Sequence, residues 1–266
     1  MSAQEANGAP RGDAKKAEKK TPGKAAAKKT ATKKSTRSGG DNAGDSSDNA
    51  PLVFPVGHYM GPFHPSRNGP AKHHIVRVGW ETPKLPDEEH LDIWALAHGL
   101  PARLDSVRWT RQAIIDAADD AEMPNAEEIL DNLAELRLIT EVSPETGQAR
   151  EFADAFRLQS LLIGLGNNPE DPVLDGIGLV GVPPVVMVRP RVFEIWQWAH
   201  LWPTIWAACE GLAYIAGETG QAESEAADPE KVLELMFEAT RTLISRNAVY
   251  LDVAMTPPDD EATDGP

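Results

Sequence analysis

Four histidines, His58, His64, His73 and His74, fall within 17 residues of one another, beside Tyr59 and Phe63. Imidazole is a common zinc ligand and a general base near neutral pH. Neither chemistry finds its usual spacing here. No pair stands at i, i+4 as a helical zinc site requires, and no cysteine joins them at finger spacing. Histidines flanked by Pro and Gly read instead as solvated, or stacked on aromatic neighbours. The string Gly176-Ile177-Gly178-Leu179-Val180-Gly181 has dinucleotide-binding spacing. Pro183-Pro184 and the β-like run Val185-Val186-Met187-Val188 follow it, where a helix N-terminus would have to meet the pyrophosphate. It reads as a glycine-rich connector. No serine has nucleophile-elbow surroundings, and the single cysteine, Cys209, falls in an apolar stripe. No catalytic residue, metal ligand or cofactor is assigned.

The residues best suited to a chemical task are cations. Lys15, Lys16, Lys19, Lys20, Lys24, Lys28, Lys29, Lys33, Lys34 and Arg37, with Arg11, give residues 1–40 eleven basic side chains against three acids, a net of +8. Removing these from the whole-chain totals of 26 and 41 leaves 15 basic and 38 acidic residues, a net of −23 for 41–266. The first fifty residues hold no aromatic and almost no large aliphatic side chain, too little apolar surface to offset chain entropy. Residues 1–51 are therefore expected to form a disordered basic arm that binds nucleic acid through counterion release, without reading sequence. Residues 255–266 are expected to be an acidic disordered tail. No apolar run approaches the ~20 residues of a membrane span, and the N-terminus lacks a secretory pattern. Cytoplasm is the expected location.

Between these ends, one pattern organises the chain. Leu91-Asp92-Ile93-Trp94-Ala95-Leu96-Ala97-His98 recurs 102 residues later as Phe193-Glu194-Ile195-Trp196-Gln197-Trp198-Ala199-His200. After each octet come two more helical patterns and a short β-like run. In the first copy, Asp87 caps a helix with the stripe Ile93, Leu96, Ala97, Leu100. Thr110 opens a second helix with Ile114, Ala117 and Ala118 inward. Asn125 caps a third with Ile129, Leu133 and Leu136, before Leu138–Val142. In the second copy the stripes are Ile195, Trp198, Ala199 and Trp202, then Ile205, Cys209, Leu212 and Ala216. Asp228-Pro229 caps a third with Val232, Leu235, Met236, Ala239 and Leu243, before Ala248–Val253. Trp94 and Trp196 read as core. Trp198, Trp202 and Trp206 crowd one stretch with Phe193 and are expected to form a partner-binding surface.

Strand, three helices and a hairpin is a winged-helix order. The expected fold is mainly α with short β-hairpins: two tandem winged-helix-like repeats preceded by the disordered basic arm. The expected boundaries are an irregular segment plus first unit at 52–145, a Gly/Pro-rich connector at 146–184 and a second unit at 185–254. The pattern resembles tandem winged-helix proteins, which implies an architectural or regulatory adaptor. The Lys/Ala/Thr-rich arm resembles the tails of actinobacterial nucleoid-associated proteins. The third helices are poorly suited to reading DNA. Glu127, Glu128, Asp131 and Glu135 outweigh Arg137 and Asn132, and Glu230, Glu234 and Glu238 outweigh Lys231 and Arg241.

Three functional expectations follow. The first is a non-enzymatic cytoplasmic adaptor or regulator, whose acidic body binds a protein partner while the arm holds nucleic acid weakly. The second is a module that captures a leader peptide by strand addition in a peptide maturation pathway. The third is an enzyme with a histidine-containing site in residues 58–74. Neither membrane contact nor a cofactor is expected, and homo-oligomerisation is left open.

Overall fold

Leu52-Val53-Phe54-Pro55 is apolar without alternation, the pattern of a strand covered on both faces. A computed structural model describes residues 50–144, 147–219 and 226–255, and in it this run is strand β1 (Leu52–Pro55), buried along its whole length. It pairs antiparallel with β5 (Ile139–Val142), Leu52 opposite Val142 and Pro55 opposite Ile139. Between them lie an antiparallel meander and three helices. The meander is β2 (His58–Phe63), β3 (His73–Arg77) and β4 (Lys84–Leu85). The helices are α1 (Glu88–Leu96), α2 (Arg111–Asp120) and α3 (Ala126–Glu135). Asp87 and Thr110 cap α1 and α2 by accepting from the backbone N–H of His90 and Ala113. Asn125 enters α3 in the left-handed region, φ 61°, and makes no side-chain cap bond.

Helix α4 (Gln148–Ala155) follows, and then the same order recurs. Strands β6 (Phe156–Ser160), β7 (Ile163–Gly166), β8 (Asp175–Gly178) and β9 (Val186–Val188) precede α5 (Pro190–Trp198), α6 (Ile205–Glu218) and α7 (Pro229–Ser245). The closing strand β10 (Val249–Val253) returns to pair antiparallel with β6. Agreement between the two repeats extends to single atoms. The N–H of Val56 donates to Leu138 O at 2.8 Å, and that of Leu161 to Ala248 O at 3.0 Å. Both meanders carry a register shift, at Tyr59/Gly61 and at Gly164/Gly166, with Gly61 at φ +101° and Gly166 at φ +70°. Both third helices end on a left-handed residue, Arg137 at φ 56° and Asn247 at φ 52°.

This architecture replaces the expected mainly helical, tandem winged-helix fold. About 40% of the described residues are helical and 23% lie in strands, gathered in several small antiparallel sheets. In a winged helix the strand after the third helix would turn into a hairpin. Here that strand goes back to the first strand of its own repeat, and α4 stands where the hairpin would be. The irregular segment expected ahead of the first helices holds strands β1 and β2, and 146–184, read as a connector, holds α4 and β6 to β8. Residues 1–49 of the basic arm lie outside the described residues, as do 256–266 of the acidic tail.

The described residues all fall within one compact unit. A parallel bridge between Val56 and Leu251, with Gly57 N–H donating to Leu251 O at 2.7 Å, joins the two strand pairs in the order β5-β1-β10-β6. Strand β1 serves both cores through its alternation. Val53 enters the core of α1 to α3, whereas Leu52 and Phe54 enter the core of α4 to α7. Asp252 on β10 is wholly buried and crosses the same junction. It accepts from Gly79 N–H at 2.6 Å and Arg157 Nη2 at 3.1 Å, with Arg77 Nη1 at 3.5 Å. Among the described residues, no helix is long and apolar enough to cross a membrane.

Candidate functional site

Joining the repeats leaves a cleft of about 510 Å³ between the start of β2, the face of α1 and the strand β10 that follows α7. His58 and Tyr59 come to it from β2, Asp92, Trp94 and His98 from α1, and Asn247 and Tyr250 from the second repeat. The rings pack in two groups. His58 lies 5.0 Å from Tyr250, Tyr59 6.3 Å from Trp94, and His98 meets Trp94 edge-on at 4.5 Å. Arg77 backs the group, donating to Tyr250 Oη.

The electrostatics shift both imidazoles toward the neutral form. His98 Nδ1 lies 3.0 Å from Trp94 O. A carbonyl only accepts, so Nδ1 carries the hydrogen and Nε2 is left as an acceptor. Burial lowers His98 to about 4. Burial also lowers His58, as does the positive charge of Arg77, with Asp252 opposing them. Proton transfer near pH 7 would need a group that titrates there. His98, held at about 4, is a hydrogen-bond acceptor rather than a base.

The four clustered histidines are separated by the β2–β3 hairpin. His58 reaches the cleft, while His74 is buried in β3 with Nδ1 2.8 Å from Tyr59 Oη. His73 stacks on Phe63, and His64 Nδ1 donates to Gly69 O at 2.9 Å. Among the described residues, no three His, Cys, Asp or Glu side chains are placed to hold a metal ion. Gly176 and Gly178 of the dinucleotide-like string serve packing in β8. A Cβ on Gly176 would come within 3.1 Å of Pro184 Cγ, and one on Gly178 within 3.1 Å of Val185 N. Burial pushes the Cys209 thiol up to about 12, so it is no nucleophile at neutral pH.

The three tryptophans of the expected partner surface occupy different environments. Trp206 is 7% exposed in the second core, with the Arg150 guanidinium 3.5 Å over its ring. Trp202 lies flat on α6, where a Cβ at Gly211 would meet its Cζ2 at 2.2 Å, so glycine makes room for the indole. Trp198 is 43% exposed.

Trp80, which the sequence did not single out, is the fully exposed tryptophan, at 104% relative accessibility. It tops a two-residue turn between Val78 and Glu81, whose backbones exchange hydrogen bonds of 3.0 and 2.9 Å. Gly79, at φ +55°, takes the first central position, and its N–H is the one held by Asp252. Beside Trp80 runs a groove of about 670 Å³ at the end of the sheet where β1 and β10 finish and β5 and β6 begin. Val56, Ile139 and Phe156 form its floor, Leu136, Val253 and Met255 its exposed rim, with Arg137 among them. A hydrophobic patch alternating with Pro and Gly left no periodic signal in the sequence. Lys15, Lys16, Lys19, Lys20, Lys24, Lys28, Lys29, Lys33, Lys34 and Arg37 lie outside the described residues.

No family model matches the chain, and none of the curated proteins or solved structures compared with it does.

Proposed function

We propose that the chain is a non-enzymatic adaptor. The folded body takes an apolar anchor of a cationic protein into the Trp80 groove, and the arm of residues 1–51 holds nucleic acid without sequence preference. The observation that carries this reading is Trp80 itself. A tryptophan left wholly in water beside an apolar groove, on a turn pinned by a buried carboxylate, is a rigid anchor of the kind that dominates binding energy at interfaces. The −23 charge of residues 41–266 favours a positively charged partner by steering.

Selection of a displayed random-peptide library on the full chain tests it. The expected motif is a bulky apolar residue flanked by Lys or Arg. Trp80→Ala is expected to lose the enrichment while melting at the wild-type temperature, since the side chain contributes no burial. Enrichment that survives Trp80→Ala, or no motif at all, rejects the reading.

The leader-peptide reading draws on the same groove. Strand β5 pairs only with β1 among the described residues, and its Ile139 and Thr140 line the groove, so a peptide could add there as a strand. N-methylation of the peptide backbone separates the two: it abolishes strand addition and spares a side-chain anchor.

A further inference from the structure

The junction cleft is independent of the Trp80 groove and has a chemistry of its own. We infer that it is a binding site for a small, flat heteroaromatic molecule bearing an amine hydrogen-bond donor. Its volume, about 510 Å³, lies within the ~300–1,000 Å³ of small-ligand sites, and such sites favour junctions between structural units. The half-buried rings of His58, Tyr59 and Tyr250 offer π surface from both repeats. A flat ring is the shape that such walls accept.

The polar groups fix the sense of the hydrogen bonds. His98 Nε2 is an acceptor because Nδ1–H is committed to Trp94 O. Asp92, exposed on the rim, is an acceptor as a carboxylate. Tyr250 Oη accepts from Arg77, which leaves its own hydrogen free to donate. Two acceptors and one donor around an aromatic slot match an amine attached beside a ring nitrogen, the arrangement found in adenine and in 2-aminopyridine. An anionic ligand would meet Asp92 and neutral imidazoles, and find no cation facing it in the cleft lining.

Isothermal titration of the full chain with adenine and 2-aminopyridine, against purine and pyridine as ring controls lacking the amine, tests the inference. One amine is expected to bind once per chain, about tenfold or more tightly than its control, the value of a hydrogen bond to a charged or buried acceptor. Asp92→Asn, on the exposed rim, is expected to weaken binding about tenfold with melting unchanged, and His98→Phe to do so by removing Nε2 while keeping a ring. Failure of both amines to bind, equal binding of the ring controls, or undiminished binding by both variants overturns it. None of these outcomes touches the peptide selection at Trp80.

Discussion

Trp94 and Trp196, 102 residues apart, make the same hydrogen bond. Each indole Nε1–H donates to the carbonyl just before its closing strand, Leu138 O at 3.0 Å and Ala248 O at 3.3 Å. Each carbonyl also accepts a backbone N–H from the end of the opening strand, so one oxygen ties helix, first strand and last strand together. Trp94→Phe and Trp196→Phe keep a ring and lose the donor, and each is expected to cost about 1 kcal/mol in urea unfolding. Trp→Ala at either position is expected to cost ~3–5 kcal/mol. A negligible cost at one site beside a full cost at the other would mean that the shared geometry is not shared energy.

Asp252 is expected to be the most sensitive polar residue of the junction. Its carboxylate is buried between Arg157 and Arg77 and holds the Gly79 turn. Asp252→Ala strands the guanidiniums and should cost about 3–5 kcal/mol, with Asp252→Asn falling between it and wild type. A loss under about 1 kcal/mol, by urea midpoint, would show that water replaces the carboxylate.

The helices were legible because their chemistry is local. Ile93, Ala97, Ile114, Ala117, Ile129 and Leu133 are buried at the spacing the sequence displays, and three of the four named caps donate no surprise: Asp87, Thr110 and Asp228 each accept from their own first turn. Strand β1 was not legible, since burial on both faces erases alternation. Strand β2 contains Gly61 and Pro62 at a register shift, which reads as irregular chain. The cleft could not be foreseen either. It needs His58 beside Tyr250, a contact set by β-pairing between the repeats and by no feature near either residue. Trp198, Trp202 and Trp206 looked alike in sequence, and only the glycine at 211 distinguishes the buried bed of Trp202.

His98 makes stability depend on pH in a definite direction. Burial holds its folded pKa at about 4, below the ~6.5 of an unfolded chain. The neutral form is therefore favoured by folding. Its contribution is complete above about pH 6.5 and is lost as pH falls toward 4. The melting temperature of the wild type should fall further between about pH 7 and pH 5 than that of His98→Phe, in which the shared carboxylate effects remain. Parallel losses would show that His98 is solvated in the fold.

Nucleic-acid binding, on the adaptor reading, belongs to the arm. Affinity of the full chain for two unrelated duplexes should be equal and should fall with salt at a log–log slope no steeper than about −10, the limit set by eleven cations. Deleting residues 1–40 should abolish it, and Arg137→Ala or Arg241→Ala should change little. Binding by the truncated chain, or preference for one duplex, would move recognition into the folded body.

Strand β1 has a consequence for how the fold can be divided. Because Leu52 and Phe54 pack with α4 to α7 while Val53 packs with α1 to α3, the first repeat cut away from the second would turn an apolar stripe, with Val142 beside it, toward water. Residues 50–144 expressed alone should aggregate, and a soluble, cooperatively melting fragment would contradict this. The two halves therefore share one interior seam: neither can be deleted or replaced without uncovering the core of the other.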